Sequence, residues 1–388
     1  MSFVAAIGMV NALGRSLDEI AANLVLGRAP GLASRTGWLQ SGPAVLGRVE
    51  GPLPDIPERF SAHRSRNNQL LLAALEPIRA RIDDAIAGFG QNRVAVVLGT
   101  STSGLDESDR HVDACLHDRP SPDWRYGQQE LGDPSRFLAA WLDLTGPAFT
   151  LSTACSSSAR AVISGHRLLQ AGLADAVIVG GSDTLSRMSI NGFDSLEAFS
   201  AARCQPFARD RCGITIGEAA GLMLLTRERC GVALLGIGES SDAWHISAPH
   251  PEGEGAIRAI RCALNDAGLT PGQVGYINLH GTATPLNDRI EAKVIHDIFG
   301  ESVPCSSTKH LTGHTLGAAG ITEAGLSVLI LERDLMLPAQ DFHLSPLDDS
   351  LAPCGLLQEP ARLERPVILS NSFAFGGNNA CLLFGRTA

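Results

Sequence analysis

Short apolar runs with few charges, set between longer stretches of helical periodicity, constrain this chain more than any other feature. The runs are SFVAAIGMV (2–10), RVAVVLGTS (93–101), ADAVIVGGSD (174–183), GLMLLTRE (221–228), VALLGIGES (232–240), VGYINLHGT (274–282), VPCSSTK (303–309), PVILSNSFAF (366–375) and NACLLFG (379–385). Runs that are apolar throughout, rather than at alternate positions, belong to strands covered on both faces. Helical patterns at 65–80, 156–171, 255–267, 288–298 and 317–331 lie between them. Strands alternating with helices predict α/β layers with largely buried sheets.

The chain also repeats its own theme. VALLGIGES restarts FVAAIGMVN (3–11), and each then runs helix, strand, glycine-rich turn and helix. A structural duplication follows, with its seam at 228–231 and two halves, 1–230 and 231–388. No flexible linker marks the seam, so the halves share one body. The stretch 106–135, rich in Asp, Arg, Pro and Gly, reads as a surface excursion.

Composition narrows the partners. A net charge of −10 over 388 residues leaves no basic footprint, which disfavours nucleic acid and anionic membrane. Nine cysteines without CxxC spacing fit reduced thiols in the cytoplasm better than a disulfide framework or a zinc site. The N-terminus has no cationic start before its apolar residues, and no stretch approaches the ~18 apolar residues of an integral membrane segment.

Chemistry-bearing residues gather where strands give way to helices. FTLSTACSSSARAVISGHRLLQAG (149–172) puts Cys155 at the start of a helical pattern, where the helix dipole and free N–H groups favour thiolate and can hold an oxyanion. A small buried core cysteine explains that placement equally well on its own. NLHGTATPLNDRIEA (278–292) puts His280 at the end of an apolar run, ahead of Thr282, Thr284 and Asp288. STKHLTGHTLGAAGITEAG (307–325) supplies Lys309, His314 and Glu323. Open α/β sheets present functional groups at such junctions. LSNSFAFGGNNACLL (369–383) adds paired glycines between strand-like runs, with Phe373 and Phe375 beside them.

In this order and spacing, TACSSS, HGTATPLND, KHLTGHTLGAAG and NSFAFGGNN resemble the motifs of elongating β-ketoacyl-[acyl carrier protein] synthases, over nearly the whole chain. The resemblance implies a thiolase fold, two similar α/β halves in a five-layered α-β-α-β-α body. It makes Cys155 the acyl-accepting nucleophile, and His280 and His314 the pair that assists malonyl decarboxylation. Lys309 and Glu323 support them, and Asp288 does so from farther off. Thr282 and Thr284 would bind the phosphopantetheine arm of acyl carrier protein, with no metal and no other cofactor. The amides of Cys155 and Phe375 would form the oxyanion hole, with Phe375 gating acyl entry and Phe193, Ile214 and Thr102 lining the acyl pocket.

Two departures from the family pattern stand out. Ile214 replaces a phenylalanine in RDRCGITIGEAAG, and GTSTSG places the Thr102 hydroxyl at the acyl pocket's wall, where it disfavours a plain alkyl chain unless bonded locally. With WLQSGPAVLG and SAHRSRNNQLLLAALEPI, the chain is most similar to ketosynthases of aryl polyene clusters. These pair with a chain-length-factor-like ketosynthase as heterodimers, although a homodimer is equally open. A housekeeping fatty-acid elongation synthase is the second reading, and a non-catalytic chain-length subunit, which lacks the cysteine, the third. Acyl carrier proteins are acidic, and Arg64 and Arg66 are the expected docking cations.

Overall fold

The computed structural model describes residues 1–119 and 123–387. The first half runs β1 (Ser2–Val10), α1 (Leu17–Val25), β2 (Leu32–Leu39), β3 (Gly42–Gly47), α2 (Arg66–Leu75), α3 (Arg79–Phe89), β4 (Val94–Gly99), α4 (Leu105–Leu116), α5 (Asp133–Trp141), β5 (Ala148–Leu151), α6 (Ser157–Gln170), β6 (Ala176–Asp183), α7 (Arg187–Ser195) and β7 (Ala219–Thr226). The second runs β8 (Val232–Ser241), α8 (Glu254–Ala267), β9 (Tyr276–Asn278), α9 (Pro285–Phe299), β10 (Cys305–Ser306), α10 (Lys309–Thr312), α11 (Ala319–Arg333), β11 (Val367–Phe373) and β12 (Asn378–Arg386).

Ten strands form one sheet in the order β10-β9-β11-β12-β8-β1-β7-β6-β4-β5. Numbering the five sheet strands of each half from its first, both halves read 3-2-4-5-1 outward-in. The directions repeat too: β4 is parallel to β5 and β6 as β9 is to β10 and β11, while the strands nearer the seam pair antiparallel. At the seam β1 meets β8 through Ser2 with Leu234 and Phe3 with Ala233.

Side-chain alternation along the strands sorts the core into layers. Val94, Val96 and Leu98 of β4 pack outward on Leu70, Leu71, Phe137 and Leu138 of α2 and α5. Ala95 and Val97 face inward on Val162 and Ile163 of α6, in the core that also holds Leu326 and Leu329 of α11. In the second half Ile277 and Leu369 pack outward on Ile260, Leu264 and Ile295 of α8 and α9. Helices α6 and α11 are therefore the middle layer of five. No helix among the described residues is long and apolar enough to cross a membrane.

The structure differs from the expectations in detail, and the β2–β3 hairpin occupies a stretch for which the sequence names no element. Within 106–135, residues 120–122 lie outside the described residues; the rest lies largely at the surface, as expected, but carries α4 and the head of α5, with Asp106, Gln128 and Asp133 buried. Buried polar groups there find fixed partners, as Asp133 does with His63 and Asn68. The runs 274–282 and 303–309 contribute only three and two residues to the sheet, because their remainders peel away as loops.

Gly99 sets how close α6 comes to the sheet. A Cβ there would lie 2.3 Å from the Ser157 carbonyl carbon and the Ser158 nitrogen, backbone atoms that cannot swing aside. Gly99→Ala should cost about 1–3 kcal/mol by overpacking. An unchanged urea midpoint would refute this account of the packing.

Candidate active site

Four loops, each following a sheet strand or a short helix beside one, bring their side chains to the ends of the middle helices. Cys155 stands two residues ahead of α6, after Ala154, which takes a left-handed φ of 51°. That turn is strained for a residue with a Cβ. It is held by Thr153 N–H donating to Ser157 Oγ at 2.9 Å, and by Ser156 and Ser157 hydroxyls donating back to Thr153 and Ala154 carbonyls. The serines thus fasten the turn, and no side chain caps the helix, leaving its first amides without a side-chain partner.

The thiol faces two imidazoles. His314 Nε2 lies 3.0 Å from Cys155 Sγ, and the His280 and His314 rings meet edge to face with centroids 5.5 Å apart. Their tautomers follow from what each Nδ1 meets. Leu316 N–H donates to His314 Nδ1 at 3.2 Å, and the Lys309 ammonium stands 3.3 Å from His280 Nδ1. Each Nδ1 therefore accepts, so each neutral ring carries its proton on Nε2. Burial, reinforced by Lys309, pushes both histidines well below their ordinary value and keeps them neutral.

Lys309 is buried and ion-paired with Glu323 of α11, and it also donates to the His280 carbonyl. Burial raises Glu323 above the usual carboxylate range, opposed by Lys309. Burial likewise pushes the Cys155 thiol up to about 11, against the pull of Lys309 and of the Phe375 amide. Desolvation, which the helix-start argument leaves out, opposes a thiolate at rest. The influence of the Phe375 amide at the sulfur supports its expected place in an oxyanion hole.

Asp288 sits apart from this cluster. Its carboxylate accepts from Ala283 N at 3.1 Å and Phe207 N at 2.8 Å, so it shapes the loop bearing Thr282 and Thr284, whose hydroxyls are 2.9 Å apart. Thr284 and Phe375 line a cavity of about 330 Å3 with Leu196, Leu286, Phe373 and Asn379, and the Phe193 ring lies tilted to that of Phe375, centroids 5.8 Å apart. Ile214 is buried in the apolar cluster against which Phe193 packs.

Two expectations fail. The Thr102 hydroxyl donates to Asp183 Oδ1 at 2.6 Å, so it offers no free polar group to an acyl chain. Arg66 turns inward to a bidentate ion pair with fully buried Glu218, which removes it as a docking cation. Arg64 remains half-exposed beside Glu58.

The sequence reading missed two acids. Glu291 accepts the His280 and Gly281 amides at 2.8 and 2.7 Å, and Asp183 gathers the hydroxyls of residues 100–102 and the amides of Ser101 and Thr102. Glu291 had a signal, since it follows Asp288 by three on α9 and shares its face. Asp183 had only its position, at the last residue of β6.

Ligand atoms of Cys155, His280 and His314 lie within 4.8 Å of one another, a spacing that a metal could bridge. The surroundings do not fit one. A neutral imidazole ligating through Nε2 must carry Nδ1–H toward an acceptor, whereas both Nδ1 atoms here face donors.

Known proteins share this arrangement of chain. The family descriptions "Beta-ketoacyl synthase, N-terminal domain" and "Beta-ketoacyl synthase, C-terminal domain" match residues 68–230 and 232–343. The 3-oxoacyl-[acyl-carrier-protein] synthase 2 of Staphylococcus aureus is 32% identical over 344 residues, 81% of this chain and 80% of that one. Its namesake in Synechocystis is 31% identical over 412 residues, covering 99% and 97%. Among solved structures, the ketosynthase ApeO of Xenorhabdus doucetiae, in complex with its chain length factor ApeC, superposes with a TM-score of 0.98 at 61% identity, covering 100% and 98%. The chain belongs to the β-ketoacyl synthase family and is a β-ketoacyl-[acyl carrier protein] synthase, an acyltransferase.

Proposed function

We propose that this synthase elongates a conjugated, aryl-capped chain and works beside a chain-length-factor-like ketosynthase. The likeness at 61% identity to a ketosynthase solved with its chain length factor supports the partner. The motif resemblance to aryl polyene ketosynthases supports the chain type. Housekeeping fatty-acid elongation is the second reading, favoured by the 3-oxoacyl synthase 2 relatives. We place the enzyme in the cytoplasm and divide its work between residues 1–230, which carry the nucleophile, and 231–388, which carry the histidines.

Acylation comes first. Cys155 Sγ attacks the acyl thioester, the bond to the pantetheine sulfur breaks, and the thiol proton ends on the departing sulfur. Cysteine suits this exchange because both ends are thioesters of similar energy. The acyl oxygen turns to the amides of Cys155 and Phe375. Malonyl thioester, its arm on Thr282 and Thr284, then loses CO2, and the enolate oxygen accepts from Nε2–H of His280 and His314. The enolate carbon attacks the acyl carbonyl, and the Cys155 thiolate that leaves is met by His314 at 3.0 Å before it takes up a proton. Lys309 and Glu323 hold His280. The only cofactor chemistry invoked is the carrier's phosphopantetheine arm.

Cys155→Ala should give no acyl adduct by intact mass, yet still release CO2 from malonyl carrier protein. An adduct on that variant would move the nucleophile elsewhere. His280→Ala or His314→Ala should slow condensation by about 100- to 1000-fold, or ~2.7–4 kcal/mol, while Cys155 still loads.

Acidity supplies a third check. A histidine whose pKa is lowered stays neutral as pH falls through the ordinary value near 6.5, so both Nε2–H donors persist there. In 15N-histidine spectra neither ring should take up a proton between pH 7.5 and 6, and protonation of either near 6.5 would contradict the buried, neutral pair. For the chain type, cinnamoyl and saturated acyl carrier proteins of similar length should compete in favour of cinnamoyl, read as kcat/KM with the partner subunit present. An equal or reversed ratio would return the enzyme to fatty-acid elongation.

A further inference from the structure

Asp183 is fully buried and stands outside the reacting groups. Every polar contact made to it is a donor: Thr100 Oγ1 at 2.8 Å, Ser101 N at 2.9 Å, Ser101 Oγ at 3.2 Å, Thr102 N at 2.7 Å, Thr102 Oγ1 at 2.6 Å and Ala318 N at 2.9 Å. The hydroxyl directions are fixed independently. Ser103 N–H donates to Thr100 Oγ1 at 3.0 Å and Thr184 N–H to Thr102 Oγ1 at 3.2 Å, so both threonine protons turn to the carboxylate.

These contacts join the halves. Residues 100–102 follow β4 in the first half, whereas Ala318 closes the turn 316–318 that opens α11 in the second. Ser101 tightens the joint by accepting Gly317 N–H at 2.9 Å. Within the turn, Leu316 takes a φ of 52° and donates its amide to His314 Nδ1. A left-handed leucine persists only where its surroundings hold it.

We propose that Asp183 is a positioning residue for condensation: by anchoring the turn 316–318 it keeps the Leu316 amide on His314 Nδ1, and so keeps the His314 proton on Nε2. GTSTSG, which departs from the family pattern, and the Asp183 that ends GGSD are then two sides of one anchor and no part of the acyl wall. The inference rests on the roles proposed for Cys155 and His314.

The test separates the two steps. In Asp183→Asn, one side-chain atom becomes a donor facing donors, and decarboxylation should fall on the order of 10- to 100-fold through misplacement of His314. Loading of Cys155, read by intact mass, should stay within about threefold, since that step does not use the His314 proton. Ser101→Ala, a milder cut, should give a smaller fall of the same kind, and Thr102→Ser, which keeps the hydroxyl, should restore wild-type rates. In 15N-histidine spectra, His314 should show an unprotonated Nδ1 in the wild type and a mixture of tautomers in Asp183→Asn. Normal decarboxylation in both Asp183→Asn and Ser101→Ala would overturn the proposal. So would equal losses of loading and decarboxylation, or an unchanged tautomer. A failure of the underlying reading shows elsewhere, as an adduct on Cys155→Ala or normal condensation by His314→Ala.

Discussion

A single buried cation organises the site. Lys309, itself buried, touches the His280 carbonyl, the His280 ring and the Glu323 carboxylate. An ion pair this deep adds little to stability, because desolvation of both partners cancels much of their attraction. Its value lies in direction. With the ammonium on Nδ1, His280 has no alternative but to carry its proton on Nε2, and the same charge discourages either histidine from taking a second proton. Glu323 makes the cation tolerable, and α11, the middle layer, makes Glu323 immovable.

The doubled topology explains why so few residues suffice. In each half the third strand, β5 or β10, leads through a connection, which in the later half includes the short α10, into a middle helix, α6 or α11. Cys155 lies on the first of those connections and His314 on the second. His280 lies two residues beyond the second strand of the later half, β9, and Phe375 two residues beyond its fourth, β11. Because α6 and α11 pack on each other between the sheet halves, equivalent connections meet, and a nucleophile from one half faces a donor from the other.

Much of this was legible in the chain itself. Long, wholly buried runs such as 94–99, 176–183 and 219–226 announce strands, and the functional motifs sit where those runs stop. What escaped notice has a common physical character: it depends on partners distant in sequence. Arg66 looks like a solvated helix start until Glu218, 152 residues on, is seen beneath it. The Thr102 hydroxyl looks free until Asp183 closes on it. The β2–β3 hairpin hid for another reason. Its strands are half-exposed, and the register slips between Arg35 and Leu39, which erases the period of two.

The thiol at about 11 is the instructive case, because local rules predicted the opposite. A helix start and a lysine favour thiolate, but burial under two histidines desolvates the sulfur and pushes its pKa the other way. The cost is compatible with the chemistry. A protonated thiol in a dry site is a poor target for oxidants, which attack thiolate. It needs negative charge only while a thioester is present, when the departing sulfur can take the proton and the neighbouring amides share the charge of the carbonyl oxygen. On condensation the thiolate reappears beside His314 Nε2–H, whose proton is already turned toward it. The fixed tautomer thus serves both the enolate that forms and the sulfur that leaves, so one proton's location ties together the two halves of the reaction.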